Sequence, residues 1–101
     1  MVKKVESKSS RVSRRRVEFV IEDAPGKTVG VAGSFNDWNP ESKILSDKNS
    51  DGVYRGFLML LPGVYEYKFV VNGDWRLDER NPNFAPNDLG TLNSVITVED
   101  K

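Results

Sequence analysis

Two tryptophans are the residues of this chain best suited to holding a ligand. Trp38 lies in the segment Phe-Asn-Asp-Trp-Asn-Pro, and Trp75 follows the Asn72-Gly73 turn signal. Polar residues flank both, which predicts a loop or a hairpin tip for each indole. A pyranose ring has one face of C–H groups that packs on an aromatic plane while its hydroxyls point sideways. The pattern suggests sugar stacking, but each tryptophan taken alone fits a cover over one end of the core equally well.

Lys68 is a candidate for hydrogen bonding next to such a surface. It alternates with Tyr67 and Phe69, so strand geometry turns it away from their face. From there it could donate to sugar hydroxyls. Taken alone, a solvated surface lysine is the simpler interpretation.

Catalytic chemistry has little support in the sequence. The chain has 101 residues with no histidine and no cysteine, which removes the commonest general base and the thiol nucleophile. The carboxylates of Asp37, Asp74, Asp78 and Glu79 invite comparison with a glycosidase pair, but they fit turns better. Ser34 lacks the spacing of a nucleophile elbow and has no histidine partner. We therefore predict no catalytic residue and a binding module, not an enzyme.

A metal or cofactor site is not predicted either. The run Asp47-x-Asn49-x-Asp51-Gly52 matches the first half of a calcium loop. The twelfth position is Leu58 instead of glutamate, and the run lies between strands. It is interpreted as a hairpin loop.

The elements that must position these residues are short strands. Alternation and turn signals predict strands, with an Asn- and Pro-rich loop over 78–92. No segment has a convincing helical period. The sequence therefore predicts an all-β fold, an immunoglobulin-like antiparallel sandwich of six to eight short strands, with a small barrel as the alternative. The predicted strands cover residues 17–22, 28–34, 43–45, 53–61, 64–71, 74–77 and 94–99.

Charge divides the chain into two parts. Residues 1–16 carry seven Lys/Arg and one Glu, while residues 17–101 carry eight Lys/Arg and fourteen Asp/Glu. We interpret residues 1–13 as a flexible basic lead-in and 14–101 as one folded domain. The cluster Arg11 to Arg16 could contact nucleic acid, lipid or a partner protein, but a solvated tail is simpler. An acidic body repels phosphates, so no nucleic-acid partner is predicted.

The cellular location and the membrane association of the protein are predicted from features that the sequence lacks. The longest apolar run, residues 57–61, is far shorter than a membrane span, and no secretory signal is visible. The absence of cysteine fits a reducing compartment. We expect a cytoplasmic protein without a membrane partner.

Two longer motifs resemble a known family. Residues 29–38, Val-Gly-Val-Ala-Gly-Ser-Phe-Asn-Asp-Trp, and residues 65–75, Tyr-Glu-Tyr-Lys-Phe-Val-Val-Asn-Gly-Asp-Trp, resemble carbohydrate-binding module family 48. This family includes the glycogen-binding domain of the AMP-activated kinase β subunit. It also includes N-terminal domains of branching and debranching enzymes. The resemblance runs from about residue 16 to residue 98.

The resemblance implies a site and a ligand. The family's sugar platform falls on Trp38 and Trp75, and its hydroxyl-binding lysine on Lys68. Leu89 would pack against a sugar, while Thr91 and Asn93 would hydrogen-bond hydroxyls. The implied function is non-catalytic binding of α-1,4-linked glucan such as glycogen, starch or maltooligosaccharides.

This sequence departs from the family pattern next to the second tryptophan. Asp78-Glu79 replaces a common Asp-Pro, and the loop 81–86 looks more like bacterial members.

Two other hypotheses for the function stay open. The sandwich could dock onto a kinase or enzyme domain through an exposed apolar patch, for which Val20 and Val70 are hints. It could also be an accessory domain of a larger glucan-active enzyme.

Overall fold

The computed structural model of this protein describes residues 13–100. Residues 1–12 and Lys101 lie outside the described residues. The predicted basic lead-in over 1–13 therefore lies outside them too, except for Ser13. The domain boundary at residue 14 stays a prediction.

Residues 13–100 form eight β-strands and no α-helix, which confirms the predicted all-β sandwich with six to eight short strands. Within these residues no helix is long and apolar enough to cross a membrane. The strands are Arg15–Glu22 (β1), Val29–Gly33 (β2), Ile44–Leu45 (β3), Val53–Leu60 (β4), Gly63–Val71 (β5), Asp74–Arg76 (β6), Phe84–Pro86 (β7) and Leu92–Val98 (β8).

The strands pair into two antiparallel sheets. β1 and β4 form the small sheet, and the large sheet has the order β3-β2-β5-β8-β7, with β6 also paired to β5. β2 lies along one edge of β5, so β6 and β8 must follow one another along the other edge. Two backbone hydrogen bonds between Ser46 and Arg55, each 2.9 Å, join the sheets at one corner.

Alternate residues of β5 build the core between the sheets. Tyr67, Phe69 and Val71 are buried and face the small sheet. There Phe19 packs edge-on against Tyr67 with ring centroids 5.2 Å apart. Such edge contacts add to the apolar area that drives the two sheets together. The buried cluster consists of Phe19, Val29, Val31, Leu45, Tyr54, Tyr67, Phe69 and Val71.

The intervening residues of β5 lie on the outer face of the large sheet. Glu66, Lys68 and Val70 occupy this face because strand side chains alternate. Val70 pairs with Trp75 of β6, and directly opposed residues share a face. Alternation along β5 and the pairing of Val70 with Trp75 together place Trp75 and Lys68 on the same side of the sheet.

The predicted loop over 78–92 was wrong in part, because it contains strand β7. β7 is three residues long, and within residues 13–100 it pairs with β8 alone, at the sheet edge. Pro86 is tolerated there because an edge strand leaves one side of its backbone unpaired. A strand this short has no alternation to reveal it.

Candidate functional site

The loop after β2 holds Trp38 in a fixed turn. The carbonyl of Gly33 accepts hydrogen bonds from the backbone N–H groups of Asn36 (3.0 Å) and Trp38 (2.9 Å). The Asn36 side chain completes the turn, accepting from the Gly33 N–H and donating to the Val31 carbonyl. Trp38 has a φ of 59°, a region that residues other than glycine seldom adopt. These bonds hold the half-buried indole at the edge of the large sheet.

Trp75 is presented by the tight hairpin between β5 and β6. Asn72 and Gly73 have φ values of 50° and 83°, as a two-residue turn of this type requires. The side chain of Trp75 is 46% exposed, and its cross-strand partner Val70 is buried. The indole therefore has an apolar neighbour beneath it and an open face.

Two anchors outside the hairpin fix its position. The Thr28 N–H donates to Asn72 Oδ1, and the Asn72 N–H donates to the Thr28 carbonyl, each at 2.8 Å. Next to Trp75, Arg76 Nη1 lies 2.6 Å from Asp23 Oδ2. The hydrogen bond from Lys27, together with that of the Ala24 N–H and the charge of Arg76, lowers the pKa of Asp23 from 3.8 to about 2. This carboxylate therefore stays ionised near neutrality and ties β6 to the loop after β1.

Lys68 faces the same side as Trp75 and reaches the loop between β7 and β8. Its Nζ donates to Thr91 Oγ1 at 2.9 Å. An ammonium group has three N–H donors, so two remain for other acceptors. Lys68 is partly buried, which fits a donor held at the wall of a site.

The side chain of Asn87 folds the loop that carries Leu89 and Thr91. Its Oδ1 accepts from the backbone N–H groups of Leu89 (3.0 Å) and Thr91 (3.1 Å). The Asn87 backbone N–H in turn donates to the Thr91 carbonyl at 2.9 Å. Gly90 completes the turn with a φ of 81°. Leu89 is left 87% exposed at the tip of this turn.

Asn93 is the most buried polar residue of the site, with only 7% of its surface exposed. Its Nδ2 donates to Glu66 Oε1 at 2.9 Å, and its Oδ1 accepts from Asn87 Nδ2 at 2.9 Å. A polar side chain buried this deeply is expected to have its hydrogen bonds made. The two bonds hold its amide group in one orientation.

These side chains surround one depression of about 550 Å³ at the outer face of the large sheet. All six residues predicted as a site line it, so neither indole is buried away from the other. Asn87 also lines it, and sequence reasoning missed this residue. The depression is lined by Trp38, Lys68, Trp75, Asn87, Leu89, Thr91 and Asn93.

Sequence signals for the missed residues were weak but present. Asn87 stands two and four residues before Leu89 and Thr91, the spacing at which an asparagine side chain caps a following turn. Glu66 alternates with Lys68 along β5, so it lies on the same outer face. Both signals are common in surface loops and strands, and neither alone indicates a site.

Two of the four carboxylates considered for catalysis, those of Asp78 and Asp74, make contacts within the fold. Asp78 accepts from the hydroxyl of Tyr67 at 2.6 Å and from the Arg80 N–H at 3.1 Å. Burial, reinforced by Asp78, raises the pKa of Tyr67 well above its usual range, so the hydroxyl keeps its proton. Asp74 contacts Arg76 at 3.4 Å. Asp37 and Glu79 lie in turns as predicted, whereas Asp74 begins strand β6.

The calcium-like run is a hairpin loop in the structure. Asp47 accepts from the backbone N–H groups of Asp51 (3.1 Å) and Gly52 (2.8 Å). Burial opposes the ionisation of Asp47, but these donors outweigh it and lower its pKa. Its oxygens are therefore occupied by the loop itself. Among residues 13–100 there is no group of three His, Cys, Asp or Glu side chains that could hold a metal ion.

The fold and the depression define a small β-sandwich binding module with two aromatic side chains at one site. The family model for the glycogen recognition site of AMP-activated protein kinase matches residues 17–101, and the chain belongs to this family. The resemblance predicted from residues 29–38 and 65–75 is thereby confirmed. Carbohydrate binding is the function of this domain, and the family is one of recognition, not of catalysis.

Similar proteins include plant and animal relatives. The chain is 29% identical over 96 residues to the chloroplastic protein FLOURY ENDOSPERM 6 of Oryza sativa subsp. japonica, covering 95% of this chain and 17% of that protein. It is 35% identical over 74 residues to 5'-AMP-activated protein kinase subunit beta-2 of Homo sapiens, covering 73% and 26%. For subunit beta-1 of Sus scrofa the identity is 36%, with coverage of 73% and 57%.

The chain thus spans between 17% and 57% of the length of these three relatives. Similarity to these relatives therefore covers this domain alone and does not extend to the activity or partners of a whole protein. Because the rice relative is chloroplastic by name, the cytoplasmic location expected from composition stays a prediction.

Proposed function

We propose that this domain binds α-1,4-linked glucan, such as glycogen, starch or maltooligosaccharides, through a platform made by Trp38 and Trp75. The observation that carries the proposal is that both indoles and four further predicted residues line a single depression. The family supplies the general class of ligand, a carbohydrate. The residues that line the depression indicate how that carbohydrate would be bound.

Stacking provides most of the binding free energy in this proposal. The C–H faces of consecutive glucose units pack on the two indoles, and the exposed Leu89 packs against a further sugar face. The hairpin of Trp75 and the turn of Trp38 are already hydrogen-bonded without ligand. Little conformational freedom is lost on binding, which reduces its cost.

Hydrogen bonds from the wall of the depression orient the chain of sugars. Lys68, Thr91 and Asn93 line the depression together with the indoles, and each carries a polar side-chain group. Sugar hydroxyls accept and donate near the plane of the ring, at right angles to the stacking direction. Stacking and hydrogen bonding thus act on different parts of each glucose unit.

The affinity expected from this arrangement is modest. The depression is open, and few rings can stack at once. We expect dissociation constants between micromolar and millimolar, roughly −4 to −8 kcal/mol. The protein would hold a polymer by repeated weak contacts more than by one tight site.

A titration with maltoheptaose followed by calorimetry and tryptophan emission tests the proposal. The chain has two tryptophans, both at the depression, so the whole emission signal reports on the site. We expect saturable heat and a saturable emission change with the same dissociation constant. A β-1,4-linked oligosaccharide of equal length serves as control. Absence of heat and an unchanged emission would contradict the proposal.

A second candidate function is docking onto a kinase or a glucan-processing enzyme domain. The outer face of the small sheet supports it, because Phe57 and Met59 are exposed there, away from the tryptophans, and Ile44 of the neighbouring strand β3 is exposed as well. The hint from Val70 was wrong, since Val70 is buried opposite Trp75. Retention of a partner enzyme on the domain in excess maltodextrin, and its loss in a Phe57→Ala variant, would support this function.

A further inference from the structure

Asn87 has no hydrogen-bonding capacity left for a ligand, although it lines the depression. Its Nδ2 donates to Thr91 Oγ1 at 2.8 Å and to Asn93 Oδ1 at 2.9 Å. Its Oδ1 accepts from the N–H groups of Leu89 and Thr91. A primary amide has two N–H donors and two acceptor lone pairs, and all four are used. Asn87 therefore affects a ligand only through the residues that it holds.

The bonds of Asn87 decide which groups of its neighbours remain available. Thr91 Oγ1 accepts from both Lys68 and Asn87, which occupies both lone pairs and leaves its O–H free to donate. Asn93 keeps one N–H and one lone pair, because Glu66 takes the other N–H and Asn87 the other lone pair. Lys68 keeps two N–H donors. The wall of the depression thus presents mainly donors.

We propose that Asn87 is a positioning residue that makes this wall rich in donors, and that the site thereby selects ligands through acceptor oxygens. This inference rests on the proposed function and adds that the protein supplies the hydrogen-bond donors and the ligand the acceptors. Sugar hydroxyl and ring oxygens are acceptors of the required kind. Two fixed partners, Asn87 and Glu66, prevent the Asn93 amide from turning its oxygen towards the ligand in place of its N–H.

The double variant N87D/D88N tests the inference with the net charge unchanged. Aspartate at position 87 retains both acceptor bonds to Leu89 and Thr91, so the turn should persist. It loses both donors and instead accepts from the Thr91 O–H, which turns that donor away from the ligand. We expect the affinity for maltoheptaose to fall about tenfold, with a melting temperature within a few degrees of the parent.

The control is D88N alone, since Asp88 is exposed and does not line the depression. Its affinity should equal that of the parent. Equal affinity of the parent and N87D/D88N would overturn the inference while leaving glucan binding intact. Absence of binding by the parent would instead overturn the proposed function and this inference with it.

A coupling measurement separates positioning from a general structural role. In a Thr91→Val background, N87D/D88N should lower the affinity for maltoheptaose by about threefold or less, because one of the two groups that Asn87 orients is gone. Additive losses in the two backgrounds would contradict the inference.

If N87D/D88N does not fold, nuclear magnetic resonance of the parent chain tests the inference through the exchange of side-chain amide protons with solvent. The Asn87 side-chain N–H protons should exchange slowly with and without maltoheptaose, since both are already bonded. Fast exchange in the free protein would contradict the inference.

Discussion

At the scale of single residues, the two indoles differ in how much of the fold depends on them. Trp38 is half-buried in a turn with positive φ, so its replacement should affect stability as well as the proposed binding. Trp75 is 46% exposed and is the cross-strand partner of the buried Val70. Trp75 is therefore the cleaner probe of binding.

Replacing Trp75 by alanine should weaken maltoheptaose binding by about 1–3 kcal/mol, as expected for an exposed aromatic anchor. The melting temperature should change little. Phe57→Ala is the matched control, because it removes an exposed ring from the other sheet. Calorimetric titration of the three proteins makes the measurement. Equal affinity of W75A and the parent would show that this indole holds no sugar.

Glu66 should act on binding through the orientation of Asn93. Glu66→Ala removes the acceptor for Asn93 Nδ2, and we expect the affinity for maltoheptaose to fall about threefold to tenfold. Glu66→Gln retains an amide oxygen at this position and should restore most of the affinity. Titration of both variants makes the comparison. A loss in E66Q as large as that in E66A would mean that charge, not orientation, is what Glu66 contributes.

At the scale of elements, strands with clear alternation were predictable and short irregular ones were not. The alternation of β5 placed Tyr67 and Phe69 inside and Lys68 outside, as the structure has them. β7 was not predicted because its three residues, Phe-Ala-Pro, are too few to show an alternating pattern. Tertiary pairing with β8, which sequence spacing does not reveal, is what makes it a strand.

The candidate site was predictable from the family resemblance, which supplied three residues within the two motifs and also Leu89, Thr91 and Asn93 beyond them. Trp38, Lys68 and Trp75 stand within the two motifs, and the structure brings them to one depression. Asn87 could not be predicted, because its importance lies in four hydrogen bonds that exist only once the loop is folded. That these residues hold a glucan stays a proposal.

The hairpin that carries Trp75 should transmit backbone strain to binding. Gly73 has a φ of 83° and open space where an alanine Cβ would lie, so Gly73→Ala costs about 1 kcal/mol through backbone conformation alone. Gly26→Ala is the matched control, because Gly26 has a φ of 87° and equally open surroundings outside the depression. Both variants should lose similar stability in urea unfolding, and only G73A should lose affinity for maltoheptaose. Equal affinities would contradict a role for hairpin geometry.

Acid should release the anchor of the same hairpin. The pKa of Asp23 is lowered from 3.8 to about 2, so its ionised form is favoured by folding. Its stabilising contribution is fully present above the unfolded value of 3.8 and is lost as the pH falls through about 2. The melting temperature of the parent should exceed that of D23N near neutrality, and the difference should disappear between about pH 4 and pH 2. A difference that is constant over this range would contradict the assignment.

At the scale of the whole molecule, the outer faces of the two sheets present different side chains. The outer face of the large sheet carries the depression, while the outer face of the small sheet carries Phe57 with the Arg16 guanidinium 4.0 Å from its ring centroid. The two faces lie on opposite sides of the shared core. A module built this way could hold a polysaccharide on one side and a protein on the other without competition between them.

The position of both indoles at one glucan site is the central claim, and a two-dimensional nitrogen–proton spectrum tests it most directly. The chain has two tryptophans and hence two indole N–H resonances. Stepwise addition of maltoheptaose should move both resonances, and both shifts should fit one dissociation constant. Movement of a single resonance, or two shifts with different dissociation constants, would contradict a shared platform.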